Sequence, residues 1–221
     1  MLAIIQARMS SKRLPGKMLM KLANKTVLEW VYNRVSKTSL VSKTIVATSN
    51  DTSDDILNEL CKLKHIEVFR GPLNNVSKRF LDCAAQNNAK EFIRINGDSP
   101  FIDSYVIEKG IESYLSGKYD IVTNVQNRSF PKGQSVEILK FETFFNTFKK
   151  MRLKQDLEHV TNYFYKNPSS FKIKNFSCFH NYGHINLSID TIADFGRLER
   201  IVKKLGEEFS WLEASQEMDK K

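Results

Sequence analysis

An α/β fold is predicted, with a mostly parallel sheet flanked by helices and a small inserted arm. Three features predict it. Short apolar runs such as "LAII", "TIVAT" and "FIRI" alternate with amphipathic segments over the first half of the chain, the order that βαβ units produce. The polar clusters "QARMSSKRLPGK", "NGDSPFID" and "SIDTIAD" each fall at a predicted strand end, where open parallel sheets bind their ligands. Between residues 126 and 184 the alternation changes, and the chain then returns to its earlier pattern.

Taken in order, Leu2–Ile5 reads as a buried strand and Val27–Val35 as a helix, with Thr26 and Glu29 at capping-box spacing. Thr44–Thr48 is a second strand, Asp54–Leu63 a helix, Ile66–Phe69 a third strand and Val76–Gln86 a helix. Phe92–Ile95 is a fourth strand that runs into "NGDSP", followed by a helix over Val106–Leu115. "YDIVTN", "QSVEILKF" and "FKIKNFSCF" read as strands, separated by helical Glu142–Lys150 and Asp156–Lys166. "INLSID" is a further strand, Ile192 to Leu205 a helix, and the residues around "ASQEMDKK" a frayed tail. Residues 1–221 are expected to form a single domain, with 126–184 as the arm.

The net charge of +9 and pI near 9.4 point first to a nucleic acid, a membrane surface or a phosphorylated substrate. The cations are scattered without a block, as on a solvated surface, and no RRM, KH or helix-turn-helix signature is present. Cys61, Cys83 and Cys178 are odd in number and far apart, which supports neither a disulfide framework nor a cysteine zinc site. No run approaches the roughly 18 apolar residues of a membrane span. A reduced, cytoplasmic protein is expected, with neither nucleic acid nor membrane as partner.

The first loop carries Arg8, Arg13 and Lys17 directly after the first strand. Guanidinium groups take phosphate oxygens bidentately, a lysine adds a point charge, and Ser10, Ser11 and backbone N–H groups can complete an anion cradle. The loop is neither a Walker loop nor GxGxxG, and composition alone equally allows a solvated basic turn. Asp98 and Asp190 each follow a predicted strand and can reach the same crevice. Two carboxylates with phosphate oxygens and water suit Mg²⁺. Asp190 could instead cap a helix, although Thr191 with Asp194 can fill that role, and Asp98 could be a turn residue before Pro100. Asp103 is read as a cap. His180 and His184 have no third ligand nearby and read as surface residues, Tyr163, Phe164 and Tyr165 as packing or interface, and Trp30 and Trp211 as core or interface.

"IIQARMSSKRLPGKML", "VFRGPLNNVSKRF", "RINGDSPFID", "EHVTNYFYKNP" and "LSIDTIADF" together span about residues 2 to 195. In this order they resemble the cytidylyltransferases, the CMP-Kdo and CMP-acylneuraminate synthetase superfamily, and most nearly its spore-coat polysaccharide SpsF-like branch. The resemblance implies a Rossmann-like, GT-A-like nucleotidyltransferase sheet whose arm often mediates dimerisation, and hence a homodimer. It implies CTP and an acidic sugar (nonulosonic- or Kdo-like) as substrates, Mg²⁺ as cofactor, and release of pyrophosphate for surface polysaccharide biosynthesis. Arg8, Lys17 and Asp98 would be catalytic, with Arg8, Arg13 and Lys17 on the phosphates and Ala7 offering backbone groups near the base. Val76 and Arg79 would lie against the nucleotide, Asp98 and Asp190 would hold the metal, and His159 and Gln134 would belong to the acceptor region. Ser10 stands where relatives often have Gly. A GT-A-like glycosyltransferase would usually carry DxD where this chain has "NGDSP", and sugar-1-phosphate nucleotidylyltransferases open with a GGxGTRL-type loop that is absent here.

Overall fold

Side-chain alternation in the first strand sets the layers. Leu2 and Ile4 face one side and Ala3 and Ile5 the other, and all are buried, so this strand must be covered on both faces. The computed structural model describes residues 1–220. The strands are β1 (Leu2–Gln6), β2 (Lys21–Leu22), β3 (Lys25–Thr26), β4 (Lys43–Ser49), β5 (Val68–Gly71), β6 (Glu91–Asn96), β7 (Ile121–Thr123), β8 (Glu137–Lys140) and β9 (Ile173–Asn175). The helices are α1 (Val27–Ser36), α2 (Asp55–Leu63), α3 (Val76–Gln86), α4 (Ser104–Leu115), α5 (Phe141–Phe148), α6 (Lys154–Glu158), α7 (Asn162–Lys166), α8 (Ile192–Leu205) and α9 (Trp211–Asp219).

Seven strands form one sheet in the order β5-β4-β1-β6-β8-β7-β9, while β2 and β3 make a separate hairpin. Pairing is parallel from β5 through β6 and between β7 and β9, and antiparallel where β8 meets β6 and β7. The mostly parallel, Rossmann-like sheet is therefore as expected. On one face Ala3, Ile5, Val46 and Ile93 pack against Leu28 and Val31 of α1, Leu57 of α2 and Val106 and Ile107 of α4. On the other, Leu2, Ile4, Ala47 and Phe92 pack against Phe80 of α3, Phe144 of α5 and Phe164 of α7. A third cluster gathers Trp30, Phe101, Leu187, Ile189, Leu198 and Phe209 beneath α8.

Several expectations change. The segment "INLSID" is not a strand: only Lys132 and Asn186 form an isolated bridge. Its alternating Ile185, Leu187 and Ile189 are buried, but its backbone bonds go to irregular chain, with Leu187 N donating to Lys132 O at 2.7 Å and Ile189 N to Asp98 O at 2.9 Å. The tail is not frayed up to Asp219, since Ser210 and Glu213 form a capping box and α9 buries Trp211 and Ala214. The helix over Asp156–Lys166 is broken into α6 and α7 around His159, which is extended at φ −111° and ψ 94°. Residues 126–184 do not stand apart from the sheet, because they supply β8 and β9. Among the described residues no helix is long and apolar enough to cross a membrane.

Candidate active site

The carboxyl ends of β1 and β6 lie side by side, Gln6 in register with Asn96. The turn after β6 rises close over β1: Gly97 N donates to Gln6 O at 2.9 Å, and a Cβ at Gly97 would stand 2.7 Å from that same oxygen. A side chain there would lift the cleft floor. The first loop leaves β1 and returns at Gly16, whose φ of 73° is the left-handed region. Gly16 N and Ser11 N both donate to Met9 O, at 3.1 and 2.9 Å. Ser10 is not among the positive-φ residues, so the loop closes without needing glycine there.

Beneath the loop sits Asp54, wholly buried. Its Oδ1 accepts from Met9 N at 2.7 Å, and its Oδ2 accepts from Ser49 N at 3.0 Å and from Ser49 Oγ. One carboxylate thus ties the end of β4 to the residue after Arg8. Nothing in the sequence marks this role beyond the acidic start of α2.

Lys17 opens the short helical turn Lys17–Leu19 and is almost fully buried. Its Nζ donates to Asp98 Oδ2 at 2.7 Å and to Ile189 O at 2.6 Å, and lies 3.6 Å from Asp190 Oδ1. Asp190 also meets Arg13 Nη2 at 2.9 Å and Lys132 Nζ at 2.7 Å. Burial alone would raise the Asp190 carboxyl, but the Lys132 hydrogen bond and the charges of Lys132, Lys17 and Arg13 hold it below its ordinary value. Thr191 and Asp194 form the capping box of α8, and Asp103 caps α4, so Asp190 is free of capping duty.

Arg13, Lys17, Asp98 and Asp190 line a cleft of about 380 Å³ that also takes in Gln6, Arg8, Lys12, Asn96, Glu158 and His159. Arg8 Nη2 lies 3.3 Å from Glu158 Oε1. Its four cations, Arg8, Lys12, Arg13 and Lys17, exceed its three carboxylates, Asp98, Glu158 and Asp190, and each carboxylate is already matched to a cation. An incoming polyanion therefore finds unneutralised positive charge, focused by a concave wall.

The fold brings Arg8, Arg13, Lys17, Asp98, Asp190 and His159 to one cleft. It does not bring the others. Gln134 is wholly buried, with Oε1 accepting from Asp103 N at 3.0 Å and Nε2 donating to Phe101 O at 2.5 Å. Its amide is spent on backbone, which excludes it from contact with an acceptor and makes it a structural residue. Val76 is core, and Ala7 is buried with its N–H given to Ala47 O at 3.2 Å. Arg79 is wholly buried too, donating from Nη1 to Pro72 O at 3.2 Å, while among the described residues Nε and Nη2 meet no partner. Burial lowers its pKa to about 10, with Asp54 opposing that shift, so it stays charged at neutral pH. Gln6 and Glu158 are cleft residues that the sequence reading leaves out, and Lys132, which it notes beside Gln134 as a departure from relatives in the acceptor segment, reaches Asp190. Lys132 stands two residues before Gln134, and Glu158 directly before His159, so the signal lay one or two positions away. His180 and His184 are exposed, and among the described residues no three His, Cys, Asp or Glu side chains cluster as a metal site.

Known proteins are similar to this chain in sequence or in fold. The chain is 30% identical over 213 residues to the spore coat polysaccharide biosynthesis protein SpsF of Bacillus subtilis, covering 93% of this chain and 88% of that protein. It is similar to the structure of a cytidylyltransferase from Leptospira borgpetersenii serovar Hardjo-bovis, with TM-score 0.93, 28% identity, and coverage of 99% of this chain and 96% of that one. The structure of CMP:2-keto-3-deoxy-manno-octonic acid synthetase complexed with CTP shares the fold, with TM-score 0.73 at 15% identity over 92% of this chain and 98% of that one. The cytidylyltransferase family profile matches residues 2–217, and with the loop, the paired aspartates and the sheet in place, the chain belongs to the cytidylyltransferase family of nucleotidyltransferase enzymes.

Proposed function

We propose that the protein transfers CMP from CTP to an acidic sugar, nonulosonic- or Kdo-like, and releases pyrophosphate for surface polysaccharide biosynthesis. The observation that carries the reading is the buried Lys17 ammonium held between Asp98 and Asp190 and flanked by Arg8 and Arg13 at the ends of β1 and β6. A sugar hydroxyl oxygen attacks the α-phosphorus, the bond to the bridging oxygen breaks in line, and the hydroxyl proton leaves to solvent or a cleft base. Negative charge grows on the departing pyrophosphate, where Arg8, Arg13 and Lys17 would stabilise it.

The donor set at Asp98 and Asp190 fits Mg²⁺. Both are hard oxygen ligands, and Mg²⁺ is commonly bound by one or two carboxylates plus substrate phosphates rather than by a full protein cage. Among the described residues only Ser99 Oγ donates to Asp98 Oδ1, at 3.4 Å, so this oxygen has lone pairs to offer. Asp98 and Asp190 would hold the ion, which would supply charge neutralisation at the triphosphate. Val76 and Arg79 would shape the nucleotide side from beneath, and His159 with Glu158 the acceptor side. A homodimer in the cytoplasm completes the reading.

Pyrophosphate release from ATP, CTP, GTP and UTP against a panel of acidic sugars tests it. Release with CTP and one acidic sugar is expected. Failure of CTP with every sugar, alongside thermal stabilisation by another nucleotide, would overturn the cytidylyl reading.

A further inference from the structure

Gln6 ends β1 and lines the cleft. Its side-chain oxygen accepts from Arg94 Nη2 at 3.2 Å. Arginine has donors only, so the atom facing it must be the amide oxygen, and the NH₂ group is left facing away. Among the described residues that NH₂ meets no protein acceptor.

The orientation is set from below by a chain of buried groups. Arg94 Nη1 donates to Glu137, whose side chain is only 2% exposed. Glu137 also accepts from the Tyr165 hydroxyl, which lies 2.8 Å from Thr123 Oγ1. Burial and the neighbouring Glu137 raise the Tyr165 pKa far above its ordinary value, so the phenol stays a donor. With both carboxylate oxygens of Glu137 engaged, Arg94 has a fixed position and so has the Gln6 oxygen.

The side of the cleft matters. Arg94, Glu137 and Tyr165 come from β6, β8 and α7, on the flank of β1 opposite β4. Asp54 and Arg79, beneath the cationic loop, lie on the β4 and α3 flank. Gln6, Glu158 and His159 line the same cleft, with Arg94 holding Gln6 from the β6 side.

We propose that Gln6 is a specificity-determining residue whose side-chain NH₂, oriented by Arg94 and Glu137, donates a hydrogen bond to an oxygen of the acceptor sugar. The assignment rests on the sugar-accepting reading above. A site built to donate discriminates against ligands that leave the donor unpaired.

Gln6→Glu tests it, because glutamate still accepts from Arg94 but offers the cleft an acceptor instead of a donor. Gln6→Met keeps the volume and removes both. Pyrophosphate release is followed at saturating CTP against Kdo, N-acetylneuraminate, legionaminate and pseudaminate, and binding of Mg²⁺–CTP is measured by calorimetry. For the sugar that wild type uses, KM is expected to rise about tenfold or more in both variants, with CTP affinity unchanged. An unchanged sugar KM in Gln6→Glu, or equal weakening of CTP and sugar, overturns the assignment while leaving the proposed function intact. A wild-type protein that uses none of the four sugars overturns the sugar-accepting reading and this assignment together.

Discussion

Replacing Lys17 by Met tests the centre of the site, because methionine keeps most of the volume and removes only the charge. In the protein the ammonium is 2.7 Å from Asp98 Oδ2, 2.6 Å from Ile189 O and 3.6 Å from Asp190 Oδ1, and its side chain is 7% exposed. Breaking a fully buried ion pair typically costs about 3–5 kcal/mol. Here the loss is softened, since Asp98 is 28% exposed and can be hydrated, and Asp190 keeps Arg13 and Lys132. A stability loss of about 1–3 kcal/mol is expected, read by urea unfolding. Catalysis suffers more. A preorganised donor aimed at developing charge is worth about 10²–10³ in kcat, and Lys17 is the most buried of the cleft cations. Pyrophosphate release at saturating CTP and sugar, at a temperature where the variant is folded, separates the two effects. A folded Lys17→Met protein with wild-type kcat would refute the clamp and the reasoning that placed it.

Further outcomes are expected from the same geometry. Asp54→Asn leaves Met9 N an acceptor but turns an NH₂ toward Ser49 N, so a loss of about 1–3 kcal/mol in unfolding free energy is expected, with weaker Mg²⁺–CTP binding; unchanged CTP affinity would show that the loop does not depend on this anchor. Asp190 has a folded pKa below its ordinary 3.8, so the unfolded state binds more protons in that interval and stability falls as pH drops through it. Asp190→Asn should flatten the pH dependence of urea midpoints below about pH 4, and an identical slope would contradict the ion-pair picture. Burial pushes the Cys61 and Cys83 thiols up to about 12, whereas Cys178 is partly exposed; mass spectrometry after iodoacetamide treatment of the native protein should find Cys178 labelled and the other two spared.

Much of the architecture was legible because its signals are local. Apolar runs of strand length, helical periodicity and the Thr26–Glu29 and Thr191–Asp194 boxes each act over a few residues. The Ser210–Glu213 box was equally legible, and it overrides the polar composition that suggests a frayed tail. "INLSID" shows the limit of pattern: alternation marks which side chains are buried, while a strand also requires a regular neighbour, and Gly133 at φ 99° and close against Leu187 interrupts that neighbour. That Arg8, Arg13, Lys17, Asp98 and Asp190 share one cleft could be expected from the sequence, because their charge is visible in the residue type and each follows a predicted strand. Gln134 misled because the sequence shows an amide and cannot show that Asp103 N and Phe101 O already use it.

The sequence by itself determined the α/β alternation, the edge on which polar loops gather and the cations available there. Only the tertiary structure decided which groups meet: Arg8 with Glu158 across 150 positions, Lys132 with Asp190 across 58, and Met9 with Asp54 across 45. It also decided that Arg94 takes the side-chain oxygen of Gln6 across 88 positions. The physical reason is range. Propensity, periodicity and capping are set by residues a few positions apart, whereas burial and charge pairing depend on which surfaces the sheet order makes adjacent, and that order is settled by packing the whole chain at once.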